Sequence, residues 1–328
     1  MSEALRSERL SKPVFDPPIR MMTDPPVIVI GAVNVDLSGT PAKELRPGDS
    51  NPGRVTMSAG GVGRNIAENL RRLGRRVSLI TLTGDDPYGQ MIREQCRDLG
   101  IGMDMSLTDP TGRTSVYLCV NEANGDLHTA VADMDIYQRM TPDRLKSFLP
   151  ALNGAALVIM DANLPEETLT FLAREVRAPL AADPVSVAKV RRLIHALPRL
   201  ELIKPNVPEA ELLTGVTIRK EADLSRAAEA LLARGVRRVY ISLGEKGVYA
   251  DDGKKRGLLP CYPGTIRNTT GCGDAFLAAA ADAWLEGLDV LEGSRRALAA
   301  AAWCAADERA VSPTLSRAVL DAAPRKLC

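Results

Sequence analysis

The chain has 328 residues, with 42 Lys and Arg against 41 Asp and Glu, 45% hydrophobic residues and 25% charged ones. That length buries a core without disulfide or metal staples, and the mix is globular rather than disordered. A net charge of +1 creates no field to gather nucleic acid or an anionic membrane, and the longest apolar runs, 27–30 and 155–160, are far too short to span a bilayer.

Residues 1–26 are charged, contain prolines and end in Asp24-Pro25-Pro26, so they read as a flexible extension ahead of a single domain over 27–328. From Val27 onward, short apolar runs alternate with helical periodicity, the pattern of a largely parallel sheet with helices on both faces. Strands are expected at 27–33, 76–81, 155–160, 180–182, 202–204 and 238–242. Between the last two, 222–234 predicts a helix with Leu224, Ala228, Leu231 and Leu232 on one face and Gly235 as its left-handed cap. Two regions break the rhythm. Residues 54–58, and 114–120 with 127–131 around Asn124-Gly125, look like hairpin strands with no helices between them. They predict a small antiparallel layer, built from about 37–58 and 103–133, projecting from the main sheet as a lid over a site.

Two glycine-rich turns each lead into a helix. Ser58-Ala59-Gly60-Gly61-Val62-Gly63-Arg64-Asn65 precedes a helix at 66–73. It is a poor dinucleotide fingerprint, because Ile66 stands where a third small residue is needed, and no Gly-Lys-Ser/Thr marks a Walker loop. Its glycines suit close helix packing equally well, whereas Asn65 offers both a donor and an acceptor. Arg64 either orients phosphate or sits solvated on the first helical turn. The second turn, Asn268-Thr269-Thr270-Gly271-Cys272-Gly273-Asp274, precedes an Ala-rich helix at 275–284. Glycines let main-chain N–H groups converge on an anion, and the helix N-terminus adds positive potential. A carboxylate at such a nest repels phosphate unless it takes the proton of an incoming hydroxyl during phosphoryl transfer, which would make Asp274 a general base. On this motif alone Asp274 reads first as a first-turn residue that favours the helix dipole. Asn206 and Glu209, three apart after Lys204-Pro205, read either as a capping box or as an oxygen-rich pair beside hydrated Mg²⁺.

The six cysteines, Cys96, Cys119, Cys261, Cys272, Cys304 and Cys328, form no Cys-x-x-Cys pair, and no secretory leader pattern opens the chain, so reduced thiols in a cytoplasm are expected. With only two histidines, His128 and His195, acid–base chemistry falls to carboxylates.

Taken in order, these stretches resemble the PfkB (ribokinase-like) family of carbohydrate and nucleoside kinases. Gly60-Gly61 with Asn65 is similar to its N-terminal signature, and Thr270-Gly271-x-Gly273-Asp274-x-Phe276 to its C-terminal one. Asn34-x-Asp36 matches the pair that holds sugar hydroxyls, and Ser242 to Gly247 resembles the strand and turn alongside ATP. The resemblance implies a three-layer αβα sandwich with a mostly parallel central sheet and a small antiparallel β lid. It also implies ATP as co-substrate, Mg²⁺ held through water by Asn206 and Glu209, and a homodimer through the lid. Dependence on K⁺ stays open, since Asn268 stands where many members carry Asp; Cys272 likewise replaces a common Ala.

By the same resemblance, the amides of Gly271, Cys272 and Gly273 form the anion hole and Asp274 is the base. Asn34, Asp36, Gly60, Gly61, Arg64 and Asn65 take the sugar. ATP contacts come from Asn206, Ser242, Gly244, Gly247, Thr269 and Cys304 besides Gly271 and Gly273. Finer features are similar to members that act on the 5′-hydroxyl of pseudouridine: Asp49 to Gly53, Thr114-Ser115-x-Tyr117, Asp133-Met134, and Asp183-Pro184-Val185-Ser186 with Lys189. The extra ring N–H of that nucleoside calls for an acceptor, for which Ser50, Asn51 and Thr114 are candidates, with Tyr117 to stack. The composition of 50–53 would suit a plain turn as well. Another nucleoside or ribose as substrate is the second expectation, and a non-catalytic nucleotide-binding protein the third.

Overall fold

The computed structural model describes residues 24–323; Cys328 and residues 1–23 of the expected extension lie outside them. Pro26, the last residue of that stretch, accepts a 2.9 Å hydrogen bond at its carbonyl from the Ala156 amide.

Strands β1 (Val27–Ile30), β2 (Asn34–Pro41) and β3 (Gly53–Gly60) precede helix α1 (Val62–Arg72). Then come β4 (Val77–Ile80), β5 (Leu82–Gly84), α2 (Pro87–Asp98), β6 (Leu107–Asp109), β7 (Val116–Asn121) and β8 (Leu127–Asp133). Two short helices, α3 (Pro142–Leu145) and α4 (Leu149–Asn153), lead into the βα alternation β9 (Leu157–Asp161), α5 (Glu166–Glu175), β10 (Leu180–Asp183), β11 (Leu200–Ile203), α6 (Val207–Thr214), α7 (Glu221–Ala233) and β12 (Arg238–Ser242). The chain closes with β13 (Val248–Asp251), β14 (Arg256–Leu259), α8 (Cys272–Leu285), α9 (Val290–Ala305) and α10 (Arg317–Asp321).

Eight strands form the main sheet in the order β14-β13-β12-β11-β10-β9-β1-β4, parallel from β4 to β12 and antiparallel only at β13 and β14. Its inner strands are apolar on both faces, as a sheet sandwiched between helices requires. Alternation divides the core in two. Ile28, Ile30, Val158, Met160 and Ile203 pack against Leu169 and Leu172 of α5 and Leu224, Ala228 and Leu231 of α7. Val27, Val29, Leu157, Ile159 and Leu202 pack against Ile66 and Leu70 of α1 and the alanines of α8 and α9. The result is the expected αβα sandwich.

The second sheet, β3-β2-β7-β8, is antiparallel at its outer pairs and parallel at β2–β7. Gly125, at φ 92°, turns β7 into β8 at Asn124-Gly125. Two expectations change here. The first strand ends at Ile30 rather than 33, because the chain leaves the main sheet at Gly31 to reach β2, so Asn34 opens a strand of the small sheet. Residues 103–115 do not join that sheet: β6 pairs in parallel with β5 beside the core.

Candidate active site

Ligand sites of open parallel sheets lie beyond the C-terminal ends of the strands. There, β9 ends in Asp161, β10 in Asp183, and Lys204 follows β11 directly. All three are buried. Asp161 and Asp183 are register partners, and Asp183 Oδ2 lies 3.6 Å from Lys204 Nζ. Asp161 accepts the Ala32 amide at 2.7 Å and the Asn163 amide at 2.9 Å, fastening the ends of β1 and β9 together. Burial pushes its carboxyl up to about 6 against those two donors.

The N-termini of α1 and α8 converge on this cluster. Both begin at a glycine with positive φ, Gly61 at 99° and Gly271 at 82°, and neither is capped by a side chain. At Gly271 a Cβ would stand 1.9 Å from the Ala310 carbonyl oxygen, so no other residue fits that turn. Helix α8 therefore starts at Cys272, three residues ahead of the expected 275. Asp274 lies in its first turn, buried, with Oδ2 accepting from Asn65 Nδ2 of α1 at 2.9 Å. Burial and then Asp183 push the Asp274 carboxyl up to about 8, with Asn65 and Lys204 opposing and Asp161 adding to the rise. For Lys204, burial alone would lower the pKa; Asp183, Glu209 and Asp274 outweigh it and hold the ammonium above its ordinary value.

Sequence reasoning singled out neither Asp161 nor Lys204 as a site residue. Their signal was positional, a carboxylate and a cation at the C-terminal ends of buried parallel strands. Lys204 faces the nest itself: a Cβ on Gly273 would be 3.2 Å from its Nζ.

The residues expected to take a sugar meet in one place. Asn34 Nδ2 donates to Asp36 Oδ1 at 2.5 Å, and Gly60, in register with Asn34, leaves room that a Cβ would close to 2.0 Å from Asp36 Oδ2. Burial raises the Asp36 carboxyl, while Asn34 and the Arg64 guanidinium oppose it. Tyr117 is the cross-strand neighbour of Asp36. Arg64 is not solvated as one reading had it. It is buried, ion-paired with Glu68 at 2.8 Å, and its Nη1 lies 3.4 Å from Asn65 Oδ1. A polar chain Arg64–Asn65–Asp274 thus joins the N-termini of α1 and α8. Gly63 fulfils the packing role, since a Cβ there would sit 2.7 Å from the Gly31 carbonyl carbon.

Several expected residues are committed elsewhere. Asn51 accepts the Arg46 amide and donates to the carbonyls of Arg46 and Asp49, which makes 46–51 a self-bonded loop, and Ser50 is exposed on it. Thr114 is buried, with Oγ1 donating to Asp86 Oδ1 at 2.7 Å and accepting the Gly84 amide at 3.0 Å. Its hydroxyl thereby braces Asp86, the cap of α2. Asp133 falls in the cross-strand row of Val35 and Val116, not that of Asp36 and Tyr117, and faces Arg113 at 3.6 Å. Lys189 Nζ donates to Asn163 Oδ1 at 2.5 Å, which places it beside Asp161. In the α8 nest, the Cys272 amide is turned to the Thr269 carbonyl at 3.3 Å, which leaves the amides further into the turn as better anion donors.

Asn206 and Glu209 do form the capping box, with Glu209 N to Asn206 Oδ1 at 3.0 Å and Asn206 N to Glu209 Oε2 at 2.8 Å. That leaves Glu209 Oε1 outside the box. Burial raises the Glu209 carboxyl, countered by the Asn206 amide and Lys204. Among the described residues no group of three His, Cys, Asp or Glu side chains could enclose a metal ion. The donor set therefore suits a hydrated ion borne largely by another ligand, not an all-protein cage. Alongside runs an open groove of about 560 Å³ lined by Asn206, Ser242, Leu243, Gly244 and Lys246. Gly247 closes the turn at φ 100°. Thr269 is exposed at the mouth of the α8 loop, and Cys304 is buried beneath it.

Residues 24–317 match the family model described as pfkB family carbohydrate kinase. A pseudouridine kinase of Escherichia coli K12 is 34% identical over 293 residues, covering 88% of this chain and 93% of that protein. A carbohydrate kinase from Agrobacterium tumefaciens superposes with a TM-score of 0.80 at 35% identity, over 91% of this chain and 96% of that one. An Arabidopsis thaliana ribokinase, solved with ribose and ATP, superposes with a TM-score of 0.80 at 23% identity, over 90% and 97%, and so shares the fold.

Proposed function

The chain belongs to the pfkB family of carbohydrate kinases, and from that premise we propose that it transfers the γ-phosphoryl group of ATP to the 5′-hydroxyl of pseudouridine. The observation that carries the reading is Asp274, buried in the first turn of an uncapped helix and held by Asn65 from a second uncapped helix. Asn34 and Asp36 hold the sugar hydroxyls, with Tyr117 beside them. Asp274 accepts the hydroxyl proton as the oxygen attacks in line, while the α8 amides and Lys204 receive charge gathering on the transferred group. Holding the alcohol against Asp274 turns an encounter into a near-attack geometry. Glu209 and Asn206 would hold a hydrated Mg²⁺, which would supply neutralisation of phosphate charge. The nucleotide lies in the groove past Ser242 and Gly244, and the small sheet closes over the sugar.

The relative named for pseudouridine, at 34% identity, supports that substrate. The second reading, a kinase for another nucleoside or ribose, draws on Asn51, whose amide donors are spent within its own loop, and Thr114, whose proton goes to Asp86, so that each keeps only an acceptor lone pair with which to read a base. A panel of pseudouridine, uridine and ribose with ATP and Mg²⁺, with the product phosphate mapped, separates the two. Pseudouridine should exceed uridine in kcat/KM by at least about ten-fold, the worth of one specific hydrogen bond. Equal rates on uridine or ribose reject pseudouridine as the preferred substrate.

The small sheet also supports a homodimer. Met57, Leu37, Leu118 and Val131 form one cross-strand row, with Val55 two residues along on the same face. Met57, Leu118 and Val131 are 54%, 45% and 65% exposed, an apolar stripe that a second copy would cover. Sedimentation should show a dimer that Met57→Glu with Leu118→Glu converts to a monomer. A wild-type monomer at every concentration refutes the pairing.

A further inference from the structure

We propose that Cys272 and Cys304 form a site of reversible oxidation, in which a peroxide converts the two thiols to an intramolecular disulfide that distorts the N-terminus of α8. Cys272 is the first residue of α8 and half-buried; Cys304, next to last in α9, is 1% exposed. The loop before α8 is stitched to the end of α9 by amides of Arg267 and Asn268, which donate to the Ala305 carbonyl at 2.8 and 3.2 Å. That stitching sets both sulfurs against the same stretch of loop, 268–270. Cys272 Sγ lies 3.8 Å from the Asn268 carbonyl, and Cys304 Sγ lies 3.7 Å from the Thr270 carbonyl and 3.1 Å from that of Ala310.

The pair is asymmetric. The neighbouring Cys304 thiol lowers the Cys272 thiol against its burial, and Cys272, with burial, raises Cys304. Cys272 is therefore the nucleophile and Cys304 the resolving thiol. The Cys272 thiolate attacks one peroxide oxygen, the O–O bond breaks, and the departing hydroxide takes a proton to leave as water. Cys304 then attacks the sulfenic sulfur, the S–OH bond breaks, and a second water carries off the Cys304 proton. Two thiols lose two electrons and the peroxide gains them.

A disulfide brings its sulfurs to about 2.05 Å, closer by more than about 1 Å than unbonded thiols can approach. Cys272 lies two residues before Asp274, between the two glycines of the nest, so the pull falls on the proposed anion hole. A misplacement of about 1 Å there costs on the order of a hundred-fold in rate. This consequence rests on the kinase reading, whereas the cross-link does not.

The test treats the full chain with hydrogen peroxide, blocks remaining thiols with N-ethylmaleimide and maps peptides without reduction. The expected result is one peptide pair joining Cys272 to Cys304, lighter by two hydrogens and separated by dithiothreitol, with kinase activity falling by about a hundred-fold and returning on reduction. In Cys304→Ser, each preparation compared with its own untreated sample, the cross-link should vanish and dithiothreitol-reversible inhibition with it. Cys261, whose thiol donates to the Gly244 carbonyl at 3.3 Å, is the rival partner. Linkage of Cys272 to Cys261, free labelling of both Cys272 and Cys304 after peroxide, or undiminished reversible inhibition in Cys304→Ser overturns the proposal. If the untreated chain phosphorylates nothing, the peptide map still decides the cross-link, and only the kinase reading fails.

Discussion

Asp274→Asn should lower kcat by about 10²–10⁴-fold, the usual weight of a positioned general base, while leaving the fold intact. The substitution isolates proton transfer because an amide oxygen can still accept the 2.9 Å hydrogen bond from Asn65. Burial and Asp183 push the wild-type carboxyl up to about 8, so at neutral pH much of the enzyme holds its base protonated. Only the carboxylate accepts the substrate proton. The wild-type kcat/KM should therefore rise with pH and level off above about 8, and the residual rate of the Asn variant should lack that limb.

Stability moves the other way. A carboxyl of ordinary pKa 3.8 unfolded and about 8 folded binds its proton more tightly in the native state. Its contribution is fully present below pH 3.8 and is lost as pH rises through about 8. Asn cannot ionise and escapes that loss, so Asp274→Asn should gain melting temperature relative to wild type at about pH 8 and not near pH 3.8. Near-full phosphorylation by the variant would remove Asp274 from the reaction.

What was legible beforehand was what short-range chemistry dictates. The apolar runs at 27–30 and 238–242 had to be buried strands, and the glycine-rich turns at Gly61 and Gly271 had to lead into helices. The capping box of Asn206 and Glu209 was equally local. Contacts between distant segments were not legible. Thr114 looked like a free hydroxyl until the fold placed Asp86 beside it. Residues 31–33 read as strand by composition, yet Gly31 must pass so close to Asp161 that a Cβ would lie 2.3 Å from Oδ2, and there the chain turns away to the small sheet. The parallel pairing of β2 with β7 and the meeting of Cys272 with Cys304 arise in the same way, from elements far apart in sequence.

Lys204→Met should cost about 3–5 kcal/mol of stability at about pH 8, the penalty for stripping the partner from buried charges. Methionine matches the length of the lysine stem, so lost packing contributes little and the charge contributes most. The ammonium lies 3.6 Å from Asp183 and acts on Glu209 and Asp274, while Asp161 stands nearby as the register partner of Asp183. Without it these carboxylates repel one another in a medium that screens them poorly, and they respond by binding protons. The folded variant then holds more protons than its unfolded chain over a wider range, so the deficit should shrink as pH falls from about 8 to about 5. The rate profile supplies a readout that simple loss of packing would not move. Lys204 opposes the rise of the Asp274 carboxyl, so its removal should shift the ascending limb of kcat/KM above about pH 8. Urea unfolding at the two pH values and the pH–rate profile together check this. A pH-independent stability loss with an unmoved limb would mean that Lys204 fills space and does not balance the carboxylates around the proposed base.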